Sequence, residues 1–175
     1  MPNGDRRVHK MHWFRFAVLV LVVTVLQAGL ADIVAVTNLN VKPDLLLILL
    51  VFFAIYSNTF EAIITSFVIG FAADIILAGS PMGPRIISFG LFGTVLAYLN
   101  SIVTIKKMPY QALAIFITAF LIDALAHLLV SFRGQPAPFS VYTVIFGTSF
   151  YSSLAGPFLF LPCAWWMRIK VERPR

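Results

Sequence analysis

Two aspartates, Asp74 and Asp123, stand inside long apolar runs of this sequence, and a carboxylate in that setting is the first candidate for chemistry. An acid at the centre of a helix in lipid costs about 2.5–3.5 kcal/mol, so each needs a counter-charge, a donor or a ligand. His127 follows Asp123 by four residues, a spacing that puts both on one helix face and lets them pair. Arg85 and Arg133 are further possible counter-ions. Two readings stay open: an internal polar clasp that fixes helix packing, and a site for a ligand, a proton or a partner. Asp74, Arg85, Asp123 and His127 are the residues on which either reading rests.

Other chemistry lacks its residues. Of the three histidines, His9 and His12 belong to a basic N-terminal leader. Cys163 is the single cysteine, which excludes an intrachain disulfide and, with no Cys/His cluster, suggests no metal site. A lone thiol is most simply core filler. The stretch Gly79-Ser80-Pro81-Met82-Gly83 lacks the lysine of a phosphate-binding loop, and no serine sits in a nucleophile-elbow motif. The expectation is a protein that is not an enzyme and carries no cofactor.

The elements that hold these residues follow from composition. The chain has 175 residues, 60% apolar and 11% charged, too few polar groups to coat a soluble domain. Much of it must face lipid. A bilayer core takes about 20 apolar residues as a helix. Six such spans with short loops nearly exhaust the length, which predicts a single transmembrane domain over 1–175. The spans are expected at about 13–31, 44–57, 60–78, 86–105, 109–130 and 141–167. The first exceeds the roughly 7–15 apolar residues of a signal peptide and is read as a retained helix. Gly79-Ser80-Pro81 stops the third, Pro109 suits the first turn of the fifth, and Pro157 and Pro162 predict kinks in the sixth.

The net charge of +6 is not laid out as a nucleic-acid groove. It follows membrane topology instead. With six spans and both termini cytoplasmic, ten of the 13 Lys and Arg lie inside, leaving Lys42, Arg85 and Arg133 outside. If the short second run did not span, the split would be six to seven. Basic residues orient membrane proteins, so the six-span arrangement is preferred. It places Asp74 and Asp123 at similar depth in the outer half, each about 21 Å from its cytoplasmic end. The cytoplasmic basic surface would meet anionic lipid head groups. Gly90, Gly93 and Ala97, and the Gly- and Ser-rich sixth segment, predict close helix approach.

The run Lys42-Pro43-Asp44 followed by Leu45-Leu46-Leu47-Ile48-Leu49-Leu50 resembles the MreD family of rod shape-determining membrane proteins. Gly70-Phe71, Asp74, Gly79-Ser80-Pro81 and Gly83 extend that resemblance, as do the short loops and basic tails. The resemblance implies a bacterial inner-membrane scaffold of the cell-elongation machinery. It would support lateral peptidoglycan synthesis by binding MreC and, through it, MreB and the elongation synthases. Pro43, Asp44 and Gly70 thereby join Asp74, Arg85, Asp123 and His127 as suspected packing or partner contacts. The family also looks related to the six-helix substrate-binding subunits of energy-coupling-factor transporters. A substrate-capture subunit of a vitamin or metal-ion importer is therefore the alternative function.

Overall fold

The computed structural model describes residues 12–30, 43–76, 83–102, 108–132 and 141–167. The chain is all-helical there. In order the helices are α1 (Trp13–Leu30), α2 (Leu45–Tyr56), α3 (Thr59–Ile76), α4 (Pro84–Ile102), α5 (Met108–Phe132) and α6 (Val141–Met167). Each of the six expected apolar segments is a helix. Thr59–Ile76, Pro84–Ile102 and Pro109–Phe132 are long and apolar enough to cross a bilayer, whereas Trp13–Gly29 and Leu45–Tyr56 are shorter apolar helices. The expected stop at Gly79-Ser80-Pro81, the loops at Lys106-Lys107 and Arg133-Gly134-Gln135-Pro136, Lys42 and both basic tails lie outside the described residues.

The short α2 is the axis of the bundle. It packs against all five other helices, and every side chain from Leu46 to Ile55 is buried. A helix apolar on all sides has to be enclosed by protein or lipid, and here protein encloses it. Phe52 and Phe53 pack edge-on with each other, Phe53 with Phe16 of α1, and Phe52 with Phe160 of α6. Its 12 residues span only about 18 Å, and its N-terminal end at Asp44 is buried inside the bundle.

The tightest seam joins α3 to α4. A Cβ added at Gly70 would sit 2.9 Å from Phe89 Cβ and 3.0 Å from Ile86 Cα, and one at Gly93 would overlap the Ser66 side chain. Ala62, Ser66, Gly70 and Ala73 form the buried stripe of α3 that admits α4. Small residues let helices gain van der Waals contact where lipid supplies no hydrophobic drive between them. Along the α5–α6 seam, Ser153 Oγ donates to the Ala112 carbonyl at 2.8 Å, and Gly156 accommodates Ile115. Pro157 and Pro162 both lie within α6.

The outside is apolar and the inside holds the polar groups. Phe14, Leu21 and Val25 of α1, Phe60 and Phe71 of α3, and Phe158 and Trp165 of α6 are exposed, while Asp44, Asp74, Gln111, Asp123 and Ser152 are buried. Water as solvent would select the reverse; lipid selects this distribution.

Candidate functional site

The polar centre of the molecule lies where α2 begins. Asp44 is the N-cap: its Oδ1 accepts from Leu47 N at 3.1 Å and from Gln27 Nε2 of α1 at 3.0 Å. Gln27 Oε1 in turn accepts from Leu46 N at 2.9 Å, and the Asp44 backbone N–H donates to Ser152 Oγ of α6 at 2.9 Å. The first N–H groups of any helix lack partners within it, and inside a bilayer no water supplies them. Two neighbouring helices, α1 and α6, therefore help Asp44 close the start of α2. Its other end is closed likewise, where Asn100 Nδ2 of α4 donates to the Ile55 carbonyl at 2.7 Å. Close by, Gln111 Nε2 of α5 donates to the Tyr56 hydroxyl at 2.9 Å.

Arg85, in the first turn of α4, supplies the charge that Asp44 requires. Its Nη1 donates to Asp44 Oδ2 at 3.1 Å, and its Nη2 lies 3.9 Å from Asp123 Oδ1 of α5. One guanidinium thus ties α4 to α2 and faces α5. Pro43 leads directly into the Asp44 cap.

Asp74 does a different job. Its Oδ2 accepts from the backbone N–H of Gly83 at 2.8 Å and of Ile86 at 3.2 Å, and its Oδ1 from that of Arg85 at 3.2 Å. A carboxylate near the end of α3 therefore caps the start of α4, where the helix dipole favours negative charge. Gly83 adopts φ 121°, a conformation that favours glycine, and Pro84 follows as the first residue of α4. This arrangement starts α4 two residues before the expected position 86. Gly70, one turn earlier on α3, brings the backbones of Arg85 and Ile86 into reach.

A cavity of 130 Å³ opens beside these groups, lined by Asp74, Pro84, Arg85, Asp123, Ala126, His127 and Val130. Asp123 is buried and His127 exposed at its edge. Among the described residues they form no hydrogen bond with each other, so the expected Asp123–His127 pairing is replaced by the approach of Arg85. The i, i+4 spacing brings the two side chains near one another but does not aim them: Asp123 points at the start of α4 and His127 outward. Arg133, the other expected counter-ion, lies outside the described residues.

The structure thus gathers Asp44, Asp74, Arg85, Asp123 and His127 at one end of the bundle, with Pro43 and Gly70 supporting them. Sequence reasoning missed Gln27 and Asn100 and took Ser152 only as one serine of the Gly- and Ser-rich sixth segment; all three are uncharged residues that satisfy the ends of α2. An amide within a short apolar run was the only available signal. No group of three or more His, Cys, Asp or Glu is placed to hold a metal ion among the described residues.

A second feature is apolar. Between α1 and α6, with α2 as its floor, runs a groove of 300 Å³ lined by residues that include Val22, Leu26, Leu49, Leu159, Cys163 and Trp166. Trp166 Nε1 donates to the Arg15 carbonyl at 3.3 Å where the two walls meet.

No curated protein and no solved structure matched the chain. A comparison with protein families matches the rod shape-determining protein MreD over residues 8–170. With nearly the whole sequence matched, and an apolar helical bundle whose charges close its own helix ends, the chain belongs to the MreD family of rod shape-determining proteins.

Proposed function

We propose that this protein is a six-span scaffold of the bacterial inner membrane, with both termini cytoplasmic, that binds MreC and supports lateral peptidoglycan synthesis. Family membership gives the role in rod shape. The observation that carries the scaffold reading is how the polar groups are used. Asp44, Asp74 and Arg85 accept from or donate to groups that hold helices together, so their chemistry serves packing rather than turnover. The apolar α1–α6 groove is left as a surface for the transmembrane segment of MreC, with MreB and the elongation synthases reached through that partner. Lys and Arg bias supports the orientation, with ten of 13 on the cytoplasmic side.

The importer alternative would hold a vitamin or a metal ion in the polar outer half. Vitamin-sized sites enclose about 300–1,000 Å³; the polar cavity holds 130 Å³, and the groove of 300 Å³ is lined almost wholly by apolar side chains. Among the described residues no group of three or more His, Cys, Asp or Glu is placed for a metal ion, so both cargoes are less favoured than a protein partner.

Two experiments test the proposal. Depletion of the protein rounds the cells; normal rods after complete depletion would refute the role. Affinity purification from native membranes in mild detergent retains MreC. Recovery of ATPase subunits and a coupling membrane protein instead would make the chain an importer subunit.

A further inference from the structure

The cavity beside Asp123 is short of positive charge. Among the described residues, three carboxylates, Asp44, Asp74 and Asp123, lie around Arg85, whose guanidinium faces Asp44 and Asp123 while its backbone N–H donates to Asp74. Asp74 is neutralised by the N-terminus of α4, from which it accepts three backbone N–H groups. Asp44 takes the direct bond from Arg85 at 3.1 Å. Asp123 is left with the second guanidinium nitrogen at 3.9 Å, beyond hydrogen-bonding distance. Its side chain is only 9% exposed, it lines the cavity, and it accepts no hydrogen bond from any described residue.

A buried carboxylate in that state calls for a donor carrying charge. The space beside it suits such a donor: a cavity of 130 Å³ has room for an ammonium or guanidinium group with its last methylenes. His127, exposed at the rim, leaves the entrance open from outside the bundle.

We propose that this cavity receives one lysine or arginine side chain from the membrane-anchored partner, whose segment just beyond the bilayer reaches over the end of α4 and α5. The inference rests on the scaffold reading and adds to it a polar contact separate from the apolar groove. The groove gives affinity without fixing depth along the helix axis. A single buried ion pair at the outer end sets that register, because a shift of one turn, about 5.4 Å, would strand both charges.

Partner capture from native membranes by the full chain tests it, comparing wild type with Asp123→Asn and Asp123→Glu. Asp123→Asn keeps the shape and removes the charge, so capture falls roughly tenfold or more while the melting temperature in detergent stays close to wild type. Asp123→Glu keeps the charge and retains most of the capture. A scan of the partner's basic residues then finds one whose change to Ala produces the same loss and adds nothing in the Asp123→Asn background. Capture by Asp123→Asn at the wild-type level overturns the inference and leaves the scaffold reading intact. A loss that follows the melting temperature equally in both variants also overturns it. Absence of any partner with the wild-type chain refutes the scaffold reading and this inference together. Methylguanidinium serves as the free-ligand probe: if it stabilises the wild type but not Asp123→Asn while capture is unchanged, the site binds small cations and the assignment to a partner side chain is wrong.

Discussion

Arg85 Nη1 stands 3.1 Å from Asp44 Oδ2, joining the first turn of α4 to the cap of the buried central helix. Forty-one positions separate the two residues in sequence, and they meet because α2 is too short to carry its own N-terminus out of the bundle. The pair has a double purpose. Asp44 holds the first turn of α2, and Arg85 keeps that carboxylate compatible with its surroundings.

Breaking this pair from one side should cost more than removing it whole. Arg85→Met leaves a buried carboxylate without its counter-charge, and Asp44→Asn leaves the guanidinium facing only Asp123. Loss of one partner of a buried pair costs about 3–5 kcal/mol, whereas replacing both members is often nearly neutral. Arg85 is partly accessible, with 24% of its side chain exposed, so the lower end applies, about 3 kcal/mol for each single change. The double variant should recover at least 1 kcal/mol of the sum. Reversible unfolding in mixed micelles measures all three, and strictly additive losses would show that the pair is not coupled.

Asp74→Ala removes the acceptor of three backbone N–H groups at the start of α4. A lost helix cap costs about 0.5–2 kcal/mol, and three half-buried donors left without their acceptor place this one at the upper end. Asp74→Asn retains one acceptor oxygen and should lose about half as much. Hydrogen exchange localises the effect: the amides of Gly83, Arg85 and Ile86 exchange faster in Asp74→Ala, while those of α6 do not change. Uniform acceleration along the whole chain would argue against a local cap.

Much of the helical layout was legible in the sequence, because apolar runs interrupted by Pro, Gly and charge leave few alternatives. Asp74 and Asp123 stood out for the same reason, as charges where lipid tolerates few, and Arg85 as a possible counter-ion on the same side. Direction was not legible. The sequence offered His127 and Arg85 alike as partners of Asp123, and only the fold turns Asp123 toward Arg85. Nor were Gln27, Ser152 and Asn100 visible as a set, since each bonds to backbone 19 to 108 residues away. Backbone acceptors and donors carry no residue type for a sequence reading to find. The shortness of α2, awkward as a span, became intelligible once all five neighbours were seen around it.

Two glycines should respond oppositely to alanine. At Gly70 the added methyl would sit 3.0 Å from Ile86 Cα and 3.1 Å from the Arg85 carbonyl oxygen, and backbone cannot rotate away. Overpacking of this kind costs about 1–3 kcal/mol, and it would also pull the start of α4 from Asp74. At Gly29 nothing lies within 4 Å of the new atom, so Gly29→Ala should be neutral or gain up to about 1 kcal/mol from helix propensity. Melting temperatures of the two variants in one detergent settle the comparison. Equal effects would mean the α3–α4 seam is looser than its contacts indicate.

The apolar groove makes the last prediction, because filling it should separate docking from folding. Val22 lies on the α1 wall of the groove and is 44% exposed, so a larger side chain there enters open space rather than the core. Val22→Trp adds apolar contact with the α6 wall and should leave the melting temperature unchanged or raised, since cavity filling commonly adds about 0.5–2 kcal/mol. The same ring occupies the volume that a partner helix would need, so MreC recovery should fall roughly tenfold or more, the cost of a blocked central contact. Leu91→Trp is the control, placing equal bulk on an exposed position of α4 away from the groove. Loss of MreC with Val22→Trp alone identifies the groove as the docking surface. Equal recovery with both variants would move the partner helix to another face. Loss with Leu91→Trp alone would place it on α4, whose exposed apolar residues Ile87, Leu91 and Val95 form the alternative stripe.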